Sequence, residues 1–454
     1  MTFKRYMKAG ALLAVAALGL TACGGDATPA NTPAAPAEST PAAAPETTPA
    51  EETTPAESGD VVEIEYLHRL PDNEGMQLVA DVAAKWNAEN PNIQVTTTKF
   101  AGEAGDMITK LEADANAGTA PCLAQLAYGE VPEMFTKGLV MDVTQEAAKY
   151  RDNFGGAFGM MAPGGVSVGL PQDNGPLVYY YNEVAFKELG IEVPTNIDEF
   201  LAAAKTAAAA GKYIVNFTAQ DTRDWLSAQA AAAGDAWYTA ESDQWVVNTN
   251  GEGTQRVAAM WQDLLDNKAT ATHNRWDDTY TAAIGDGSLI GTIGAAWEAA
   301  FMLDGSPTAG QWKVALLPDF GAGQMSGPWG GSGVAVMKGC DHPAEAMEFN
   351  NWFNTQLDAL ASQGLVVAAL GDVETPAAIA EAFGGQDVYS VLAEANAVMS
   401  DKFAYIPGWS TVGDPVGVAA AAAVDGSGKV ADIFTAAGTA SVKALKDAGL
   451  PVKE

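Results

Sequence analysis

From Asp60 onward, short β-branched runs alternate with segments of helical apolar period. This alternation limits the fold more than any other feature of the chain. Residues 61–67, Val-Val-Glu-Ile-Glu-Tyr-Leu, predict a strand. Residues 73–89 predict a helix with Met76, Val79, Val82, Ala83 and Trp86 on one face. Pro91 and Asn92 interrupt it, and the Thr-rich run 93–98 predicts a second strand. A helix over 104–117 stopped by Gly118, a strand over 122–127 and a short helix over 130–137 follow. Such a succession builds a parallel, doubly wound sheet. Further strands are expected at 177–181, 213–217, 288–293, 312–317 and 333–337. Thr195 or Asn196 caps a helix that runs to Gly211, with Asp198 and Glu199 in its first turn. Helices are expected near 223–233 and 254–266, and the chain is mostly helical after Pro343.

A single core stops growing near ~250–300 residues, so a chain of 454 residues is expected to form two lobes. Its 24 basic side chains against 57 acidic ones leave a net charge of −33. That field repels phosphate backbones and excludes a nucleic-acid partner. Three His and three Cys in the whole chain argue against a metal site, and no cofactor is expected.

The first residues read as an export signal. Lys4, Arg5 and Lys8 precede an apolar run, 9–20, that is too short to span a bilayer, which needs about 20 residues. Leu20-Thr21-Ala22-Cys23 then matches the lipobox pattern of bacterial lipoproteins. Residues 1–22 are expected to be removed and Cys23 to carry a diacylglycerol. The alternative is a plain signal with an incidental cysteine, against which motif, position and flanks agree. Residues 23–59 hold Ala, Pro, Thr, Ser and Glu with no aromatic or large aliphatic side chain. Nothing there offsets the entropy of ordering, so a disordered tether is expected. The remaining thiols, Cys122 and Cys340, form either one disulfide or two buried free thiols, and an exported chain favours the disulfide.

Motifs for catalysis do not survive their context. Gly165-Val-Ser167-Val-Gly169 has nucleophile-elbow spacing but lacks a strand before and a helix after. Gly426-Ser-Gly-Lys429 lacks the Ser or Thr and the earlier Gly of a phosphate loop. His68, His273 and His342 lack metal-ligand spacing. Acid pairs such as Asp277-Asp278 are unsurprising among 57 acids. The chain is therefore not expected to be an enzyme.

The aromatics are more informative. Several of the eleven Trp, with Tyr128, sit beside Gly or polar turns: Tyr128-Gly129-Glu130, Ala296-Trp297-Glu298, Pro328-Trp329-Gly330-Gly331 and Pro407-Gly408-Trp409-Ser410. A sugar offers an apolar C–H face to a ring and a rim of hydroxyls to carboxylates and amides. Core packing competes with this reading for each Trp. Trp86 and Trp352 lie on helical apolar faces and are expected in the core.

Five segments in order then resemble the family 1 extracellular solute-binding proteins of carbohydrate-importing ABC transporters, the maltose-binding-protein class. They are Gly169-Leu-Pro171 through Asp173 to Tyr181-Asn182, Leu189-Gly-Ile191 through Pro194-Thr195 to Asp198-Glu-Phe200, Gly291 to Trp297, Gly330 to Val336, and His342-Pro-Ala-Glu-Ala346. The resemblance covers about 61–446. It implies an α/β fold of two periplasmic-binding-protein-like lobes joined by crossing strands, with ligand in the cleft. The N-lobe would hold 60–173 and 314–342, and the C-lobe 175–312 and 343–454. Cys122 and Cys340 then fall in one lobe, although the family often has Asp where Cys122 stands.

Carried over residue by residue, the resemblance implies a ligand set of His68, Asp72, Asn73 and Glu74, Tyr128 and Glu130, Asp173 and Asn174, Trp225, Asp278, Trp297, Glu298, Trp329, Gly331 and Trp409. It implies capture of an oligosaccharide by lobe closure and delivery to a permease with its ATPase. Family habit suggests an α-linked gluco- or galacto-oligosaccharide. The protein would act as a monomer, held by its lipid at the extracellular face of the cytoplasmic membrane. Two other readings remain: an exported carbohydrate-active hydrolase, and a binding lipoprotein for a non-sugar solute.

Overall fold

The computed structural model describes residues 61–453, apart from Glu74, Glu103, Ser242, Trp276 and Asp401. The expected signal 1–22, the lipidated Cys23, the tether and Glu74 lie outside the described residues. Strands β1 (Val62–His68), β2 (Ile93–Lys99) and β3 (Leu123–Ala127) alternate with helices α1 (Val79–Glu89) and α2 (Ala104–Ala117). Helix α3 (Val131–Thr136) follows. β1 lies between β2 and β3, parallel to both, with Val62 opposite Ile93 and Tyr66 opposite Leu123.

α1 begins at Val79, later than apolar spacing predicts. Asp72 sets the start: it has a φ of 50°, and its Oδ1 accepts the Val79 N–H at 2.9 Å. At the next long helix, Ile197–Ala209, Asn196 is the cap. Its Oδ1 accepts the Glu199 N–H at 3.0 Å, while Glu199 reaches back to the Thr195 N–H at 2.8 Å.

The parallel order does not continue. β4 (Gly169–Asn182) is fourteen residues long and has two sets of partners. Residues 169–176 pair antiparallel with β9 (Pro328–Val336), and Asp173 and Asn174 also face β10 (Val366–Val367). Residues 177–182 pair with β7 (Gly291–Ala295) and β8 (Trp312–Ala315). β9 in turn pairs antiparallel with β3. The sheet is therefore mixed, and β4 carries the chain from one lobe to the other. The run 213–217 makes only isolated bridges, through Tyr213 and Asn216. A hairpin, β5 (Tyr238–Glu241) and β6 (Gln244–Val247), lies outside this sheet.

Aromatic clusters anchor both halves. On the first, Trp86 of α1 packs against Phe349 and Trp352 of helix Pro343–Asn354, and Tyr66 of β1 against Phe353. Each such ring removes apolar area worth roughly 1.5–3 kcal/mol from water. The expected boundary at 343 assigns this helix to the second lobe. Its ring partners are β1 and α1, and we propose that it belongs with the first. On the second half, Trp225 and Trp261 meet at 4.7 Å beside Phe217, and all three are fully buried.

Cys122, just before β3, is bonded to Cys340, just after β9, with their Cα atoms 4.6 Å apart. Among the described residues no helix is long and apolar enough to cross a membrane.

Candidate functional site

The strand ends build the site. The β3–β9 register ends with Ala127 opposite Ser332, and the Tyr128 N–H then donates to Gly331 O at 3.1 Å. This brings the turn Tyr128-Gly129-Glu130 against Trp329-Gly330-Gly331. Gly331 has a φ of +86°, and a Cβ there would lie 2.7 Å from the Tyr128 ring. A Cβ on Gly129 would lie 2.9 Å from Trp409. Only glycine permits both approaches.

Two ion pairs face the cavity these turns enclose. Arg69, which follows β1, makes a bidentate pair with Glu130 at 3.1 and 2.9 Å. Glu130 also accepts the Ala127 N–H at 2.7 Å, which fixes the carboxylate. From helix Thr222–Ala232, Arg223 donates to Asp224 at 3.0 and 2.7 Å and to Trp409 O at 3.0 Å. Trp409 Nε1 completes the unit by donating to Asp224 Oδ1 at 2.8 Å. The enclosed space is about 480 Å³, lined by Arg69, Glu130, Arg223, Asp224, Trp329 and Trp409 among others. Ser410 Oγ donates to Glu133 Oε2 at 2.8 Å, which ties the turn bearing Trp409 to α3. A cavity with indole faces and internally neutralised charges suits a neutral, hydroxyl-rich molecule.

The structure gathers Glu130, Trp329 and Trp409 of the expected set around this cavity, with Tyr128 and Gly331 forming the wall behind. Several others stand elsewhere. Trp225 is fully buried, its Nε1 donating to Ile293 O at 3.1 Å. Successive helical residues project about 100° apart, so Asp224, its neighbour, faces the cavity instead. Glu298 is buried and paired with buried Arg275, whose guanidinium lies 4.8 Å from the Trp329 ring centre. It supports Trp329 from behind and faces no ligand space. Burial pushes its carboxyl up, against the opposing pull of Arg275. Trp297 is half-buried; its Nε1 donates to Trp329 O at 3.0 Å and its ring stacks on Phe301.

His68 is buried beside Tyr66, and burial pushes its imidazole down to about 4, so it is neutral near pH 7. Asp72 Oδ1 is occupied by Val79 N–H and by Gln363 Nε2 at 3.0 Å, and Asn73 is exposed. Asp278 is exposed at the start of helix Asp278–Asp286. Asp173 is buried on β4, accepts from Ser332 Oγ, and is pushed up to about 7 by burial. Asn174 is buried, and its Oδ1 lacks a partner.

Sequence reasoning missed Arg69, Arg223, Asp224 and Tyr405. Arg69 and Asp224 each adjoin a residue that was chosen. Tyr405 lies four residues before Trp409, and its only signal was the aromatic cluster itself. Among the described residues no group of three His, Cys, Asp or Glu side chains is placed to hold a metal ion.

Residues 81–382 match the model of the bacterial extracellular solute-binding protein family. No curated protein matches the chain significantly. Among solved structures, the chain is similar to the galacto-N-biose-/lacto-N-biose I-binding protein of an ABC transporter from Bifidobacterium longum, in complex with lacto-N-biose. The identity is 52% over 87% of this chain and 100% of that one, with a TM-score of 0.84. It also resembles an ABC transporter associated binding protein from B. animalis subsp. lactis in complex with beta-1,6-galactobiose. There the identity is 23%, covering 87% of this chain and 100% of that one, with a TM-score of 0.71. The GacH receptor of Streptomyces glaucescens matches at 18% identity over 85% of this chain and 99% of its own, with a TM-score of 0.67. The last two likenesses concern the fold alone.

Proposed function

The chain belongs to the bacterial extracellular solute-binding proteins, and on that premise we propose that it captures a disaccharide of the lacto-N-biose or galacto-N-biose kind for a carbohydrate ABC importer. The observation that carries this is the 480 Å³ cavity, with indoles of Trp329 and Trp409 beside the Arg69–Glu130 and Arg223–Asp224 pairs. Its size lies within the usual range for small-ligand sites, about 300–1,000 Å³. Each arginine is already satisfied by a carboxylate, so the site asks for no ionic ligand. Sugar hydroxyls donate to the outer lone pairs of Glu130 and Asp224, and the indoles cover the apolar sugar face. The 52% identical relative with lacto-N-biose draws the ligand away from the α-linked oligosaccharide that family habit suggests.

Capture proceeds without chemistry. In the shut form Ser410 touches Glu133 across the cavity mouth, and Gly129 lies against Trp409. Parting the lobes breaks those contacts and admits sugar. The ligand then favours the shut state by the contacts it makes only there. A permease reads that state, while a lipid on Cys23 and the tether 23–59 hold the protein, as a monomer, at the extracellular membrane face. The hydrolase reading has less support, because the carboxylates at the cavity are each held by an arginine.

Isothermal titration calorimetry with lacto-N-biose, galacto-N-biose, beta-1,6-galactobiose and a maltooligosaccharide tests the proposal. Binding of the first two, with the sugar recovered intact, is the expected result. An absence of heat with both overturns the ligand, and released monosaccharide overturns the mechanism.

A further inference from the structure

Behind the crossing strands lies a second void, of about 260 Å³. It shares only Gly330 with the cavity described above. Its walls come from β4 and β9, from the turn region 154–160, from 368–370 and from 396–403. No wall residue is charged. Phe154, Met160 and Phe403 give it apolar faces.

Three polar side chains on these walls lack any hydrogen-bond partner: Tyr128 through its hydroxyl, and Asn174 and Asn396 through their amide oxygens. They come from three separate elements, the turn after β3, β4 itself and helix Val388–Ala397. Leaving one buried polar group unpaired costs about 1–3 kcal/mol, so native proteins seldom tolerate it without cause. Three around one void point to a missing partner.

We propose that this void is a second ligand site, for a neutral polyol the size of a single sugar ring. Two of the three unpaired atoms are amide oxygens, which only accept, so the ligand must bring donors. The apolar faces suit a ring's C–H surface. A charged ligand would enter without a counter-charge, at a heavy desolvation cost. At about 30 Å³ per water, the void equals roughly nine waters, room for one ring and not for two. Because β4 and β9 form both this wall and the crossing between lobes, occupancy here is coupled to the shut state, and hence to the cleft.

Equilibrium dialysis of the full-length protein with radiolabelled galactose, and separately with myo-inositol, tests the site. At least one of the two is expected to bind. Asn396→Leu removes an acceptor and should weaken that binding about tenfold or more, whereas Trp409→Ala, in the cleft, should leave it within twofold. Ala157→Phe fills the void from a half-exposed wall position and should abolish the binding, with an unchanged melting profile confirming the fold. Two results overturn the site: neither polyol binds the unaltered protein, or Trp409→Ala removes the binding while Asn396→Leu and Ala157→Phe spare it. Neither depends on which disaccharide occupies the cleft.

Discussion

Trp409 and Asp224, 185 residues apart, meet through an indole N–H donated to a carboxylate oxygen at 2.8 Å. The same carboxylate holds the Arg223 guanidinium at 2.7 Å, and that guanidinium lies 5.1 Å from the Trp409 ring centre while donating to the Trp409 carbonyl. Ring, acid and base form one unit, and its orientation rests on Asp224.

Asp224→Ala is therefore expected to weaken disaccharide binding by about ten- to hundredfold, as a charge-assisted bond worth about 1.5–3 kcal/mol is lost and the ring is freed. Calorimetry measures it. A change below threefold would show that the unit is not at the ligand.

Trp297→Ala acts at one remove. The ring supports the Trp329 backbone and stacks on Phe301, so its loss should lower Tm by several degrees. Affinity should fall less than for Trp409→Ala. Thermal melts and calorimetry on both variants give the comparison, and equal affinity losses would place Trp297 at the sugar.

Ser410→Ala removes a contact that exists only while the lobes are shut. One neutral-donor bond of about 1 kcal/mol predicts a dissociation rate raised severalfold. Stopped-flow fluorescence reads this from the tryptophans. An unchanged off-rate would mean that the contact does not hold the cleft.

Cys340→Ser opens a loop of 218 residues between two strands that lead to the site. A loss of about 2–5 kcal/mol in unfolding free energy is expected. The unaltered protein should lose the same amount in strong reductant, whereas the variant should be indifferent to it. Denaturation curves with and without reductant decide.

Two buried groups give opposite pH slopes. Asp173 rises from 3.8 to about 7 on folding, so its contribution is full below about 3.8 and is lost as pH rises toward 7. His68 falls from 6.5 to about 4, so its contribution is full above 6.5 and is lost as pH drops toward 4. Between pH 4 and 6.5 the two oppose one another, each by at most about 3–4 kcal/mol. Asp173→Asn should unmask a rise in stability with pH, and His68→Gln a fall. Chemical denaturation at pH 4.5 and 6.5 measures both signs, and matching slopes in the two variants would refute the assignment.

Helix periodicity and strand composition placed most elements, because backbone propensity and apolar spacing are local. The departures have tertiary causes. α1 starts at Val79 because Asp72, capping from the preceding turn, leaves 73–78 outside the helix. β4 runs far beyond 177–181 because β9 and β10 supply partners for its first half. At the site, aromatic residues beside glycines were a sound guide to Trp329 and Trp409. They misled at Trp225, where one helical step separates a core ring from a cavity carboxylate.

By itself the sequence determined that residues beyond 60 alternate strand and helix, that the chain is strongly acidic, and that it resembles a solute-binding family. Those properties follow from composition, short-range pattern and segment order. Which tryptophans face the cavity, which acids are consumed by arginines, and that three amide and phenol groups surround a void were decided only by the fold. Such facts depend on residues from distant segments meeting at one register, as at Ala127 and Ser332, and no local pattern encodes that meeting.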